Sequence, residues 1–113
     1  MTTFDERKDT FEKKYIHDEQ LRFRILSRRN RLLFLWGATQ AQAHIAAERV
    51  ENQAQAFVLS HMRSTEKDIL LAMMYFLESH GITYAPQQIR QQMALFWEEA
   101  AIAIVESKGS WLQ

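Results

Sequence analysis

Apolar residues recur at three- and four-residue steps along most of this chain, the spacing that lets a helix bury one face. Between Thr39 and Met62, the positions Ala43, Ala46, Ala47, Val50, Ala54, Phe57 and Val58 form a stripe of mostly small residues that lets a neighbour approach closely. From Thr65 to His80 the run Ile69 to Leu77 is apolar nearly all round, which marks that helix as the expected centre of the fold. From Pro86 to Lys108 a further stripe reads Ile89, Met93, Phe96, Trp97, Ala100 and Ile104, with Gln87, Gln88, Gln91, Gln92 and Glu99 over much of the rest. Upstream, Phe4, Phe11 and Tyr15 are followed by Leu21, Ile25, Leu32 and Trp36.

The punctuation divides these stretches. Gly37, Gly81 and Gly109 each follow an apolar-periodic run, as glycine does at a helix C-terminus. Thr39 and Gln42 have capping-box spacing, as do Thr3 and Glu6; Thr65 with Asp68 places an acid in a first turn, and Pro86 suits a first helical position. The expectation is an all-α four-helix bundle with helices at about 21–36, 40–62, 65–80 and 86–108, carrying an N-terminal arm over residues 1–20. A continuous helix to Trp36 would be about 50 Å long and would overhang the others. Its first half has only three well-spaced aromatics to bury, so by itself it is expected to be a partly mobile, intrinsically disordered or fraying helix. No repeat and no low-complexity tract is expected.

Composition narrows the function. The chain has 113 residues, enough for one domain. Cysteine is absent, which excludes disulfides, thiolate metal sites and cysteine nucleophiles. No Glu stands three residues before His17, His44, His61 or His80, so the inward Glu-x-x-His pairs of a carboxylate-bridged metal bundle are missing. His44 and Glu48 share a helical face, but one such pair reads as a surface contact. The three glycines are too scattered for a phosphate-cradling loop or a nucleophile elbow, and Glu98 and Glu99 read as solvated charge. No enzyme activity, metal or cofactor is expected. The N-terminus lacks a secretory pattern and the longest apolar run spans nine residues, from Ile69 to Leu77, so a cytoplasmic protein without membrane insertion is expected.

Formal net charge is zero, yet its distribution is uneven: residues 1–31 carry nine basic and six acidic side chains, and the remainder five basic and eight acidic. The first segment therefore reads as solvated or partner-facing. Asp9 with Lys13 and Asp18 with Arg22 have the favourable acid-first spacing of an exposed helix. Phe4, Phe11 and Tyr15 then need either the bundle or another protein to cover them. Arg22, Arg24, Arg28, Arg29 and Arg31 with Phe23 make a basic, aromatic-containing stretch. On a helical projection Arg24, Arg28 and Arg31 share one side and Arg22 and Arg29 another, so no groove-binding face forms. Their stems are expected to flank and cover the Leu21, Ile25, Leu32 stripe, and nucleic acid is not the expected partner.

Residues 1–36 closely resemble the N-terminus of the ATPase inhibitor zeta subunit family of alphaproteobacterial F-type ATP synthases. The residues that carry the likeness are Met1 to Asp5, Arg7, Phe11, Glu12, Lys14, His17-Asp18-Glu19, Leu21, Phe23, Arg28-Arg29-Asn30, Leu32, Leu33, Leu35 and Trp36. Past Trp36 the helical plan, the Gly81 break and an echo at Ile89-Arg90, Met93 and Ala100 correspond. The resemblance implies an inhibitor of ATP hydrolysis whose N-terminal helix inserts at a catalytic α/β interface of F1 beside γ and blocks rotation in the hydrolysis direction. Its partners would be the α, β and γ subunits, and its place the cytoplasm, peripheral to the inner membrane through F1. Phe4, Phe11 and Tyr15 would then be apolar anchors, with Thr3, Asp5, Arg7, Glu12, Lys14, His17 and Asp18 completing the partner-binding set and the bundle acting as a stopper. His17, with Asp18 and Lys14 beside it, reads as a surface histidine with at most a weak pH effect.

Two features depart from the family pattern. The turn before the third helix reads His61-Met62-Arg63-Ser64-Thr65-Glu66 in place of a glycine-containing acidic one, and the third helix is unusually apolar. That leaves a divergent paralogue open. The alternative reading is a helical interaction module that has lost ATPase inhibition, including a homodimer through the apolar 69–77 helix or a module for nucleic-acid or stress-related partners.

Overall fold

A computed structural model describes residues 19–41 and 47–111. Four helices follow one another: α1 (Glu19–Gln40), α2 (Ala47–Ser60), α3 (Glu66–Ser79) and α4 (Pro86–Trp111). The chain is thus all-α, as expected, with three helix ends set by the local chemistry read above. Thr65 caps α3 in an extended conformation, its hydroxyl accepting from the Asp68 amide at 3.1 Å. Pro86 opens α4, where the Ala85 amide donates to Gln88 Oε1 at 2.8 Å, one half of a capping box. Gly81, with φ of 79°, closes α3. Its amide donates to Glu78 O and that of Ile82 to Leu77 O, each at 2.9 Å, and Ile82 packs on the core that Leu77 enters.

Gly37 and Gly109 do not stop helices. Gly109 lies within α4, which runs to Trp111. α1 continues through Gly37 to Gln40 because Gly37 supplies space, not a turn: a Cβ there would stand 2.3 Å from the terminal methyl of Met73 on α3. Thr39 is likewise no cap. It lies inside α1, its hydroxyl donating to Leu35 O at 2.9 Å, and the second helix is described from Ala47.

The central helix is α1, whereas the apolar run of α3 had pointed to α3. α1 packs against all three other helices, most extensively against α4. Leu21 and Ile25 meet Ala100 and Ala101, while Leu33, Phe34 and Ala38 join a larger core with Ala54, Phe57, Ile69, Leu70, Met73, Leu77, Ile89 and Met93. The early part of α1 thus meets the late part of α4, and near its other end Trp36 packs on Tyr84 just before α4, so α1 and α4 run in opposite directions. The Tyr84 hydroxyl donates to Gln40 Oε1 at 2.8 Å, fixing that end. α3 uses Ile69, Leu70, Met73 and Leu77 inward and turns Leu71 and Tyr75 to solvent, Tyr75 at 77% exposure.

A short repeat runs counter to the expectation of none. Phe57-x-x-Ser60-His61 ends α2 and Phe76-x-x-Ser79-His80 ends α3 with the same local structure. His61 Nδ1 donates to Phe57 O at 2.9 Å and His80 Nδ1 to Phe76 O at 3.0 Å, each ring lying against its Phe at 4.4 and 4.7 Å between centroids. Each carbonyl also accepts from the intervening serine hydroxyl, Ser60 at 3.2 Å and Ser79 at 2.6 Å, so side-chain donors converge on the last turn of both helices. Both phenylalanines pack on Phe34 of α1, at 5.4 and 5.1 Å, in the tilted geometry that aromatic quadrupoles favour.

Gly37→Ala sets about 1 kcal/mol of gained helix propensity against about 1–3 kcal/mol of overpacking on the fully buried Met73. A net loss of about 1 kcal/mol is expected in denaturant unfolding. Pairing the change with Met73→Leu, which withdraws the methyl, should recover most of it. A stabilised single variant would show that Met73 yields freely.

Candidate functional site

Thr3, Phe4, Asp5, Arg7, Phe11, Glu12, Lys14, Tyr15, His17 and Asp18 all lie outside the described residues, as does His44. What the structure describes is the base on which that segment is carried, the first turns of α1. Leu21 and Ile25 face Ala100 and Ala101 of α4, with Leu32, Trp97, Ile104 and Val105 closing around them. The segment therefore joins a helix already locked into the bundle. Phe23 stands 40% exposed on the outside of α1, bordering a shallow groove with Glu19, Gln20 and Arg24.

The basic stretch is divided by the fold. Arg22, Arg24 and Arg28 are exposed, and Arg31 reaches Glu51 of α2 at 2.6 Å with both side chains largely in solvent. Arg29 is only 1% exposed. Its Nη1 donates to Glu66 Oε1 at 3.0 Å, Nη2 to Glu66 Oε2 at 2.6 Å, and Nε to Asn30 Oδ1 at 2.8 Å. An unpaired guanidinium in that position would carry a large desolvation cost, and the two-pronged carboxylate contact is the arrangement best matched to its planar fork. Glu66 can make it because the Thr65 cap starts α3 there; its own side chain stays 64% exposed. The signal for Arg29 was present in the sequence, since Leu21, Ile25, Arg29 and Leu33 fall on one four-residue row. Residue type points the other way, toward a solvated segment, yet both Arg29 and Asn30 are buried.

Beside this pair opens a cleft of about 680 Å³ between α1, the start of α3 and α4. Arg22 and Leu26 line it from α1, Lys67 from α3, and Arg90, Met93 and Trp97 from α4, so it combines cations with an apolar wall. The helical projection that put Arg22 and Arg29 on one side is upheld, since both border this cleft. Among the described residues no cluster of His, Asp and Glu is placed to hold a metal ion, and no helix is long and apolar enough to cross a membrane. The arrangement is suited to binding a polypeptide or an anion.

A family model described as ATPase inhibitor subunit zeta matches residues 1–103, covering both the N-terminal segment and the four helices nearly to their end. No curated protein and no solved structure matches the chain.

Glu66→Ala removes the carboxylate while leaving the Arg29 guanidinium buried. Hydrogen bonds to charged groups contribute about 1.5–3 kcal/mol, and the exposed Glu66 carboxylate moderates the effect, so a loss of about 2 kcal/mol is expected in denaturant unfolding. The double variant Arg29→Met, Glu66→Ala should recover a large part of it, because an apolar chain of similar length carries no charge to leave unpaired. Equal stability of Glu66→Ala and wild type would sink this account of Arg29.

Proposed function

Because the chain belongs to the ATPase inhibitor subunit zeta family, we propose that it inhibits ATP hydrolysis by F1-ATPase, docking residues 1–20 as a helix at a catalytic α/β interface next to γ. The observation that carries this reading is the family match, which spans residues 1–103 and so takes in both the N-terminal segment and most of the bundle. A helix wedged at that interface opposes the closure that accompanies hydrolysis. The bundle, too bulky to follow, limits how far the arm is drawn in and acts as the stopper.

The energetics are consistent with such a device. Ordering the segment on docking costs about 2–5 kcal/mol. Burying Phe4, Phe11 and Tyr15 returns about 1.5–3 kcal/mol each, together of the same order as that cost or above it. Thr3, Asp5, Arg7, Glu12, Lys14, His17 and Asp18 would set register and on-rate more than affinity. The first turns of α1 support this reading mechanically. Force on the arm is passed to Leu21 and Ile25 and through them to α4. Of the 69–77 run, Ile69, Leu70, Met73 and Leu77 enter the chain's own core, which leaves Leu71 and Tyr75 as the apolar surface that a homodimer would use. Under the favoured reading the protein is a non-catalytic regulator in the cytoplasm, held at the inner membrane only through F1.

ATP hydrolysis by F1 of the same organism, titrated with the full chain, should fall to a plateau. A chain lacking residues 1–18 should leave hydrolysis unchanged. Phe11→Ala should weaken inhibition about tenfold or more, the equivalent of losing about 1.4–3 kcal/mol of burial. If neither the full nor the shortened chain inhibits, the reading is wrong and the partners of the bundle become the question.

A further inference from the structure

The cleft beside Arg29 carries a group of cations that no described residue neutralises. Arg22, Lys67 and Arg90 are all exposed around one opening of about 680 Å³. Among the described residues they make no hydrogen bond or ion pair, whereas Arg29 at the cleft's edge is neutralised by Glu66. Three like charges around one opening repel one another, and an anionic occupant relieves that repulsion. Leu26, Met93 and Trp97 add a wall on which an aliphatic or aromatic side chain can rest.

We propose that this cleft is a second docking site, which takes an acidic segment with an apolar anchor from the same protein that receives the arm. The proposal rests on the functional reading above and extends it from the arm to the bundle. Helical spacing supports the continuity. At 100° per residue, positions 4, 11, 15, 22 and 26 fall within an arc of about 60°, so an arm that continues α1 would present Phe4, Phe11 and Tyr15 on the row that ends in Arg22 and Leu26. One partner surface can follow that row from the arm into the cleft. A nucleic acid fits less well. It needs a basic track extending past the cleft, and helical spacing puts Arg24 and Arg28 on the far side of α1 from Arg22.

The chain has no cysteine, so Ala94→Cys gives a unique attachment point, exposed on the cleft wall, for a benzophenone crosslinker. Bound to F1 and irradiated, this full-length variant should crosslink to an acidic segment of an F1 subunit, while Gln53→Cys on the exposed side of α2 should not. The triple variant Arg22→Gln, Lys67→Gln, Arg90→Gln should inhibit about tenfold less tightly, with a shallower dependence on salt and a thermal transition no lower than that of the wild type. Normal inhibition by the triple variant, or no crosslink from Ala94→Cys in an inhibited complex, overturns the second site while leaving the arm reading intact. So does a crosslink to a segment without acids. Salt-sensitive binding of a labelled DNA duplex that the triple variant loses would assign the cleft to nucleic acid and overturn it as well. Failure of the wild-type chain to inhibit at all is the distinct result that removes both.

Discussion

The buried guanidinium of Arg29 is the constraint around which the bundle is arranged. α1 packs against three helices at once, so it has no face left on which every charge can stay in water. A charge that enters the interior must bring a partner with it, and the partner must arrive in a fixed geometry. Glu66 does so from the first turn of α3, and Asn30 completes the shell from the next position on α1. The pair thereby fixes where α3 begins along α1. Such an arrangement adds modestly to stability and more to register, because a shift of α3 by one turn would take the carboxylate away from both Arg29 Nη groups and leave only the Asn30 contact at Nε.

Gly37 is the second contact between the same two helices. Arg29 meets Glu66 and Gly37 meets Met73 and Phe76, so the two helices run in the same direction and touch at both ends of the contact. The missing side chain at Gly37 is what lets the Met73 methyl sit against α1. Between these contacts Phe34 receives Phe57 and Phe76, each backed by the histidine that closes its own helix. The ends of α2 and α3 are thus read by one aromatic ring on α1, and the repeated Phe-x-x-Ser-His pattern is the local chemistry that shapes both ends alike.

This organisation suits a regulator that works by holding a segment in place. The family is one of inhibitor subunits, and the proposed inhibitory segment leads directly into the helix that every other helix grips. Anchoring at Leu21 and Ile25 gives an arm a firm root without asking the bundle to perform chemistry. The cleft at that root carries three cations of the chain's otherwise balanced charge, which is why a net charge of zero hides an electropositive site.

The sequence by itself determined the all-α class, the order of the helices, the Thr65 cap, the Pro86 start, the Gly81 stop and the family. Each of these is written in signals that act within about four residues, or in the identities of residues 1–36. Which helix is central, why Gly37 is glycine, and where Arg29 points were decided only by the tertiary structure. Periodicity says that a face is buried and not by how many neighbours, so the apolar run of α3 looked more central than α1. In fact α3 leaves Leu71 and Tyr75 to solvent, while α1 takes Arg29 and Asn30 inside. A glycine that stops a helix and one that admits a methyl from another helix read alike along the chain. They differ only in what lies across from them, and that is a property of the packed bundle.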